Sequence, residues 1–254
     1  MIEYILIKRS YKSLFLLFYM DLSIVIPCYN ESKVVGGSIR KIDNYLKSNK
    51  KIGKYEIICI DDGSTDKTRA IISELIKSNK KVIVNKKRKN KGKGYSVREG
   101  VYLSKYSYIL FTDADLSTPI SELDKFISKN KEYDLLIASR NLNASRVKRS
   151  FIRLFISKTF TLLNKLITSL NYSDTQCGFK LFKRDVALDL FKDQKINGFA
   201  FDVEILMKAK IKKYNVLEIP VIWNHNNHSK VLILKDSFKM LFDIVRLRII
   251  KNDL

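Results

Sequence analysis

The chain has 254 residues, of which 48 are lysine or arginine and 26 aspartate or glutamate, so its formal net charge at pH 7 is +22. Apolar residues make up 46% of the sequence, with only nine glycines and three prolines. This composition excludes a wholly disordered chain and a collagen-like or Pro/Gly-rich one. The length suits one domain with at most a small appendage, and the excess positive charge favours anionic partners: nucleic acid, anionic lipid or phosphorylated substrates.

An apolar run near the start of the chain, Leu14 to Met20, follows a basic segment but is too short to span a bilayer. Asp21 interrupts the run, and a strand pattern begins at once. We expect residues 1–20 to form a short membrane-associating segment, the alternative being a helix that packs on the domain. The domain is expected to span residues 21–230, and residues 231–254 to form a C-terminal amphipathic helix.

Apolar runs alternate with amphipathic segments through the first 140 residues. The continuous apolar runs predict strands, and the segments with apolar residues at helical spacing predict helices. The predicted strands are 22–27, 55–60, 81–84, 108–112 and 135–138, with helices at 31–48 and from Thr65 or Asp66 to about Ser78. This alternation predicts βαβ units and a mostly parallel sheet covered on both faces.

The pattern changes after Arg140. The sequence predicts a long basic and apolar helix at 146–170, then a loop at 174–184 that leads to a short strand. A helix at 199–213, a strand at 216–223 and an amphipathic helix at 231–250 follow. The chain is therefore predicted to be one α/β domain with C-terminal amphipathic helices.

Acidic residues follow three of the predicted strands. Ile-Pro-Cys-Tyr-Asn-Glu (26–31) ends the first strand, Ile-Asp-Asp-Gly-Ser-Thr-Asp (60–66) the second, and Phe-Thr-Asp-Ala-Asp (111–115) the fourth. Open α/β sheets bind ligands at the carboxyl ends of their strands. Each motif alone also fits a capped turn, but three acidic sources at one rim are hard to explain by packing.

Asp113 and Asp115 are separated by a single residue and lie just beyond a predicted strand. Both carboxylates can therefore converge on one hard divalent ion. Mg²⁺ and Mn²⁺ favour carboxylate oxygens together with the oxygens of a diphosphate.

A basic stretch at 86–94 ends in Lys-Gly-Lys-Gly, directly before a predicted helix. A run of charge usually indicates a solvated loop, but two glycines at a helix start expose backbone N–H groups and favour anion binding. The P-loop and GxGxxG patterns are absent from the sequence, so a nicotinamide cofactor is not expected. No aromatic residue interrupts the run before Tyr95, which makes nucleic-acid binding the weaker alternative.

The order and spacing of these motifs resemble those of the inverting glycosyltransferases of family 2, which have the GT-A fold. The second half of the chain resembles one branch of that family, the dolichyl-phosphate β-glucosyltransferases. Its matching motifs are Ala138-Ser-Arg140, Lys148-Arg-Ser150 with Arg153, Asp174-Thr-Gln-Cys-Gly-Phe-Lys-Leu-Phe182, Phe199-Ala-Phe-Asp-Val-Glu204, Glu218-Ile-Pro-Val221 with Trp223, and Ser229-Lys-Val231. The resemblance covers about residues 20 to 250. The chain departs from the branch in its short N-terminal apolar run and at His228, where a glycine is usual.

This resemblance implies metal-dependent transfer of glucose from UDP-glucose to dolichyl (polyprenyl) phosphate, with inversion, for protein N-glycosylation. The cofactor would be Mg²⁺ or Mn²⁺. The implied location is a membrane surface with the active site on its cytosolic face, at the endoplasmic reticulum in a eukaryote or the plasma membrane in a prokaryote. A mannosyl- or GlcNAc-transferring relative is the nearest alternative, and no nucleic-acid partner is expected.

The same resemblance implies a role for particular residues. Those expected to bind the donor are Pro27, Tyr29, Glu31, Asp62, Lys93, Asp113 and Arg140. Asp113 and Asp115 are expected to hold the metal, and Arg149 and Arg153 the acceptor phosphate. Asp174, with Gln176 beside it, is expected to act as a base or to orient the attacking group. Alternatively, Asp174 fixes its loop by accepting backbone hydrogen bonds.

Overall fold

A computed structural model of the chain describes residues 19–79, 81–86, 89–147, 165–224 and 233–249. The strands are β1 Met20–Cys28, β2 Ile52–Asp61, β3 Val82–Lys86, β4 Tyr108–Thr112, β5 Leu135–Ser139, β6 Arg146–Val147, β7 Phe179–Lys183, β8 Val216–Pro220 and β9 Ile222–Trp223. The helices are α1 Val35–Ser48, α2 Thr68–Ser78, α3 Lys93–Leu103, α4 Leu123–Ile127, α5 Arg184–Phe191, α6 Phe201–Ile211 and α7 Ile233–Ile249, with a 3₁₀ turn at Ile120–Glu122.

Seven strands form one sheet in the order β3-β2-β1-β4-β7-β5-β8, and β6 pairs with β9 separately. Strands β1 to β4 are parallel to one another, as are β5 and β8. Strand β7 is antiparallel to both of its neighbours, β4 and β5. The predicted α/β fold with a mostly parallel sheet flanked by helices is therefore confirmed.

Helices cover both faces of the sheet because successive residues of a strand point to opposite sides. In β1, Ile24 and Ile26 belong to one apolar cluster and Val25 to the other. The first cluster includes residues of α1 and α2, and the second includes residues of α3, α5 and α6. This two-sided burial explains the continuous apolar runs of the central strands.

Strand β7 lies within the segment that was predicted to be a loop, and α5 follows it without having been predicted. The sequence of β7, Phe-Lys-Leu-Phe-Lys, is buried at its first four positions, including Lys180. That buried lysine interrupts the apolar run by which a central strand is recognised.

The predicted helix at 146–170 is wrong at its start, because Arg146 and Val147 form β6. Residues 165–168 are helical, and 148–164 lie outside the described residues. The predicted membrane-associating segment also falls almost entirely outside them. Within the described ranges, no helix combines the length and apolarity that crossing a bilayer requires.

Candidate active site

The candidate site lies at the carboxyl ends of β1, β2 and β4, along one rim of the sheet. These strands are parallel, so their carboxyl ends and the acidic motifs that follow them meet at one rim. Strand β7 is antiparallel and begins opposite the end of β4, with Phe179 paired to Thr112. The loop 174–178 that precedes β7 therefore reaches the same rim.

Asp62, the second acidic residue of the β2 motif, binds the Lys-Gly-Lys-Gly segment. Its two carboxylate oxygens accept hydrogen bonds from the backbone N–H groups of Lys91 (2.9 Å) and Gly92 (2.8 Å). Burial raises the pKa of Asp62, although these two bonds oppose the shift. The anion bound by this glycine-rich backbone is thus a side chain of the protein, which places α3 relative to β2.

Gly92 is needed for this arrangement. Its φ is +109°, in the region that favours glycine, and an added Cβ would lie 2.3 Å from the backbone oxygen of Asn197. The glycine spacing therefore reflects the close approach of two backbone segments.

The motifs after β1 and β2 are also joined to each other. Asn30, with a φ of +56°, accepts hydrogen bonds at Oδ1 from the N–H groups of Thr65 (2.8 Å) and Asp66 (3.3 Å). Asp66 accepts in turn from the N–H groups of Ser32 (3.1 Å) and Thr68 (2.9 Å). Desolvation alone would raise the pKa of Asp66, but hydrogen bonds from the Thr68 hydroxyl and from these N–H groups lower it to about 2. Asn30 lies within the first motif, but the sequence did not predict this contact between the two motifs.

The predicted donor-binding residues of the first motif border this loop. Pro27 lies in β1 and pairs with Ile60. The carbonyl of Glu31 accepts the N–H groups that start the following turn. The Tyr29 side chain is 41% exposed, so its ring is accessible at the rim.

Asp113 and Asp115 follow β4 as predicted and make different contacts. The Lys93 Nζ lies 2.6 Å from Asp113 Oδ1. The Asp115 carboxylate accepts from the N–H (3.0 Å) and the hydroxyl (2.8 Å) of Ser117. Burial and then the charge of Asp113 raise the pKa of Asp115. Burial alone would lower the pKa of Lys93, but the carboxylates of Asp113 and Asp202 raise it.

The two carboxylates fit a hard divalent ion. Within the described residues, no third Asp, Glu, His or Cys joins them to complete a three-ligand cluster. Two mutually repelling carboxylates at an open edge would be relieved by Mg²⁺ or Mn²⁺, whose other ligands would be substrate oxygens and water. The donor set therefore matches the predicted cofactor in its chemistry.

Gly178 lets the loop before β7 pass directly over Asp113. The Asp113 N–H donates to the Gly178 carbonyl (3.2 Å), and an added Cβ at Gly178 would lie 2.0 Å from Asp113 Oδ2. We expect Gly178→Ala to displace the Asp113 carboxylate and lower the affinity for Mn²⁺ at least about tenfold, or about 1.4 kcal/mol. Titration with Mn²⁺ followed by electron paramagnetic resonance measures this change.

A helix glycine provides the control for that variant. Gly37, in α1, has no atom within 4 Å of an added Cβ, so Gly37→Ala should leave Mn²⁺ affinity unchanged and raise the free energy of unfolding by roughly 0.5–1 kcal/mol. Unaltered Mn²⁺ affinity in Gly178→Ala would show that Asp113 does not hold the ion in this position.

Arg140 and Asp174 form a buried bidentate pair on the other side of the rim. Arg140 follows β5 and donates from Nε (2.6 Å) and its backbone N–H (2.9 Å) to Asp174 Oδ2, and from Nη2 (2.8 Å) to Oδ1. Burial alone would raise the pKa of Asp174, but the Arg140 charge and hydrogen bonds lower it. The Arg140 guanidinium also lies 5.7 Å from the ring centre of Trp223.

Backbone hydrogen bonds to a residue of β8 hold the turn that contains Asp174. Glu218 of β8 accepts the N–H groups of Ser173 (2.8 Å) and Asp174 (2.9 Å). The N–H of Gln176 donates to Asp174 Oδ1 (3.2 Å). Both Asp174 oxygens are therefore occupied, which favours an orienting role for this residue over that of a base. Glu218 occurs in a motif noted in the sequence, but its role became visible only with the fold.

The predicted site residues that the structure describes thus meet at one rim, in two groups. Asp62, Lys93, Asp113 and Asp115 lie around the start of α3, and Arg140, Asp174 and Gln176 lie around the loop before β7. Arg149 and Arg153, predicted to bind the acceptor phosphate, lie outside the described residues.

Comparisons with known proteins agree with this fold and identify the family. The sequence model of a family described as Glycosyl transferase family 2 matches residues 23–191, more than half of the chain. The dolichyl-phosphate beta-glucosyltransferase of Saccharomyces cerevisiae is 35% identical over 247 residues, covering 89% of this chain and 74% of the yeast protein. That of Dictyostelium discoideum is 33% identical over 242 residues, covering 89% and 73%.

Solved structures share the architecture at low sequence identity. Glucosyl-3-phosphoglycerate synthase from Mycobacterium tuberculosis, crystallised with Mn²⁺, UDP and glucosyl-3-phosphoglycerate, has a TM-score of 0.64 at 15% identity, covering 91% of this chain and 79% of that one. Mannosyl-3-phosphoglycerate synthase from Rubrobacter xylanophilus has a TM-score of 0.67 at 18% identity, covering 92% and 75%. These likenesses establish a GT-A type fold.

The chain is therefore a glycosyltransferase. It belongs to glycosyltransferase family 2 and, within that family, to the dolichyl-phosphate β-glucosyltransferases.

Proposed function

We propose that this protein transfers glucose from UDP-glucose to dolichyl phosphate, giving dolichyl β-D-glucosyl phosphate and UDP for protein N-glycosylation. The observation that carries the proposal is one rim that holds two cations, Lys93 paired with Asp113 after β4 and Arg140 paired with Asp174 before β7. Such a rim provides partners for a nucleoside, a metal ion and a diphosphate. The choice of glucose as the sugar and dolichyl phosphate as the acceptor is supported by the relatives, which are dolichyl-phosphate beta-glucosyltransferases.

The donor would lie across the ends of β1, β2 and β4. The exposed Tyr29 ring offers a face for the uracil, and Glu31 and Asp62 offer carboxylates for base and ribose. Asp62 already accepts two backbone N–H groups, so its contact with a ligand would use its remaining lone pairs. Lys93 and Arg140 would neutralise the diphosphate.

Asp113 and Asp115 would hold Mg²⁺ or Mn²⁺ at the diphosphate. When bound, the ion takes up negative charge on the departing UDP and helps to orient it. The fold neighbour from Mycobacterium tuberculosis was crystallised with Mn²⁺ and UDP, which supports this choice of ion.

The acceptor phosphate is already an anion, so the reaction needs little help from a base. Its oxygen would attack the anomeric carbon from the side opposite UDP; the new carbon–oxygen bond forms as the bond to UDP breaks, and the α linkage becomes β. Asp174, whose oxygens are engaged by Arg140 and Gln176, would act by fixing Arg140 for this step. Arg149 and Arg153 remain the predicted phosphate-binding residues.

The lipid tail requires a membrane surface, and α7 provides support for one. Its Ile244 and Leu247 are buried, whereas Phe242, Val245 and Ile249 are 69%, 42% and 77% exposed. Arg246 and Arg248 are also exposed on this helix. An apolar face beside basic residues is typical of helices that lie in a membrane interface. We place the active site on the cytosolic face, at the endoplasmic reticulum in a eukaryote.

The decisive experiment is transfer of radiolabelled glucose from UDP-glucose to dolichyl phosphate in detergent, with Mg²⁺ or Mn²⁺ and an EDTA control. UDP-GlcNAc and GDP-mannose serve as competing donors. We expect a metal-dependent, acid-labile glucolipid from UDP-glucose alone. Labelling only from another donor would contradict the assignment of glucose as the transferred sugar. If the protein binds UDP but forms no lipid product, the assignment of dolichyl phosphate as the acceptor would be wrong.

A further inference from the structure

A buried ion pair lies behind the candidate site, and the roles described above do not use it. Lys180 of β7 and Asp202 of α6 are 1% and 2% exposed, and Lys180 Nζ lies 2.6 Å from Asp202 Oδ1. Lys180 also donates to the carbonyl of Cys177 (2.7 Å). Asp202 Oδ1 accepts no well-directed hydrogen bond from any described residue. Because a buried ion pair adds little stability over apolar residues of similar volume, stability alone does not explain it.

The packing of α6 places Asp202 near Lys93. Phe201, the residue before it, packs edge-on against Phe111 of β4, with ring centres 5.7 Å apart. Lys93 Nζ lies 5.2 Å from the centre of that same Phe111 ring. Lys93 makes its ion pair with Asp113 in this structure, and the negative charge of Asp202 also raises the pKa of Lys93. Lys93 therefore has two neighbouring acidic groups in different segments, the Asp113 and Asp115 pair after β4 and Asp202 in α6.

A divalent ion would change the balance between these two neighbours. Two lysines and three aspartates meet here (Lys93, Lys180, Asp113, Asp115 and Asp202), so their formal charge is 2 − 3 = −1. An ion on Asp113 would repel the Lys93 ammonium group from that carboxylate. Lys93 then needs a second anion if it is to stay beside the site, and Asp202 is one that Lys180 already holds in place.

We propose that Asp202, held by Lys180, is a positioning residue for Lys93. It draws Lys93 off Asp113 when a divalent ion binds, and so leaves the ammonium group directed at the diphosphate of the donor. Without Asp202, Lys93 stays on Asp113 and opposes the ion. This inference rests on the proposed function, because it requires the metal and the diphosphate at this rim.

The test is a double-mutant cycle on Mn²⁺ binding by the full chain without substrate, followed by electron paramagnetic resonance of free Mn²⁺. Asp202→Asn is expected to raise the Kd for Mn²⁺ about tenfold, a coupling typical of groups in one ion-pair network. In a Lys93→Met background, the same substitution should change the Kd less than about twofold. A purely structural or long-range electrostatic effect of Asp202 would be the same in both backgrounds.

Two further variants guard the result against misfolding. Asp202→Asn leaves Lys180 buried without its partner, so the pair Asp202→Asn/Lys180→Met, which removes both charges, should fold and show the same rise in Kd. Lys208→Met is the matched control: Lys208 is buried on the same helix, 3.0 Å from Glu204, and its loss should leave Mn²⁺ affinity unchanged.

Two other outcomes would count against the inference in different ways. An equal rise in Kd with and without Lys93, or no rise in either background, would overturn it and leave the proposed function standing. Failure of the unaltered chain to bind Mn²⁺ would overturn the proposed metal site and this inference with it.

Discussion

Asp115→Asn is expected to lower glucosyl transfer by at least about a thousandfold, a loss of about 4 kcal/mol in transition-state stabilisation. The substitution removes one of the two carboxylates proposed to hold the divalent ion, while the new amide oxygen can still accept a hydrogen bond from Ser117. The measurement is the initial rate of glucolipid formation at saturating UDP-glucose over a range of Mn²⁺ concentrations.

The same variant should not be less stable than the unaltered protein. Burial and the neighbouring Asp113 charge raise the pKa of Asp115, so its ionised form costs stability as the pH rises above the ordinary pKa of an aspartate, about 3.9. A neutral amide avoids this cost. Urea unfolding at pH 7 is therefore expected to give a free energy of unfolding equal to or above that of the parent.

Asp185→Asn is the control for Asp115→Asn. Asp185 is exposed at the start of α5, and its loss should leave both transfer and Mn²⁺ dependence unchanged. If Asp115→Asn retained metal-dependent transfer within about tenfold of the parent, Asp115 would not be a metal ligand. A marked loss of stability would instead assign it a structural role.

The fold could be predicted because its main strands follow a simple rule. Strands such as Leu22 to Pro27 are covered on both faces, and they appear in the sequence as continuous apolar runs. Strand β7 obeys the same rule of burial but has Lys180 at its second position, paired with Asp202. The partner is 22 positions away in the sequence, so a pattern read within one segment cannot show that this lysine is buried.

The candidate site was predicted for a related reason and with a related limit. Strand ends of a parallel sheet must meet at one rim, so Asp62 and Asp113 could be placed together before their geometry was known. What each side chain does there depends on contacts between distant segments. Asp174 is an example, since its occupied oxygens result from the position of Arg140, 34 residues earlier in the chain.

Asp174→Asn and Arg140→Lys are each expected to lower the rate of transfer about a hundredfold, which is the effect of a small misplacement of a catalytic group. The Asp174 carboxylate accepts two hydrogen bonds from the Arg140 guanidinium and a third from the Arg140 backbone N–H. Either substitution loses the bidentate geometry, so the double variant should be no slower than the slower single variant. Single-turnover rates with enzyme in excess measure this step separately from product release.

Asp134→Asn is the matched control, because Asp134 also pairs with a cation, Lys183 (2.9 Å), but precedes β5 at the opposite edge of the sheet. Its rate should equal that of the parent.

The dependence of rate on pH distinguishes orientation from proton transfer. Since the pKa of Asp174 is lowered, the ion pair stabilises the fold above about pH 4 and is lost only as the pH falls through that lowered value.

Asp174 therefore stays ionised throughout the range from about pH 5.5 to 8, and the profile of Asp174→Asn should run parallel to that of the parent, displaced downward. If Asp174 were a base that titrates in this range, the rate of the parent would fall as the pH decreases, and the rate of the variant would not show this fall. That result, or losses from Asp174 and Arg140 that multiply in the double variant, would mean that Asp174 acts on the acceptor directly. Parallel profiles with non-additive losses would mean that it acts through Arg140.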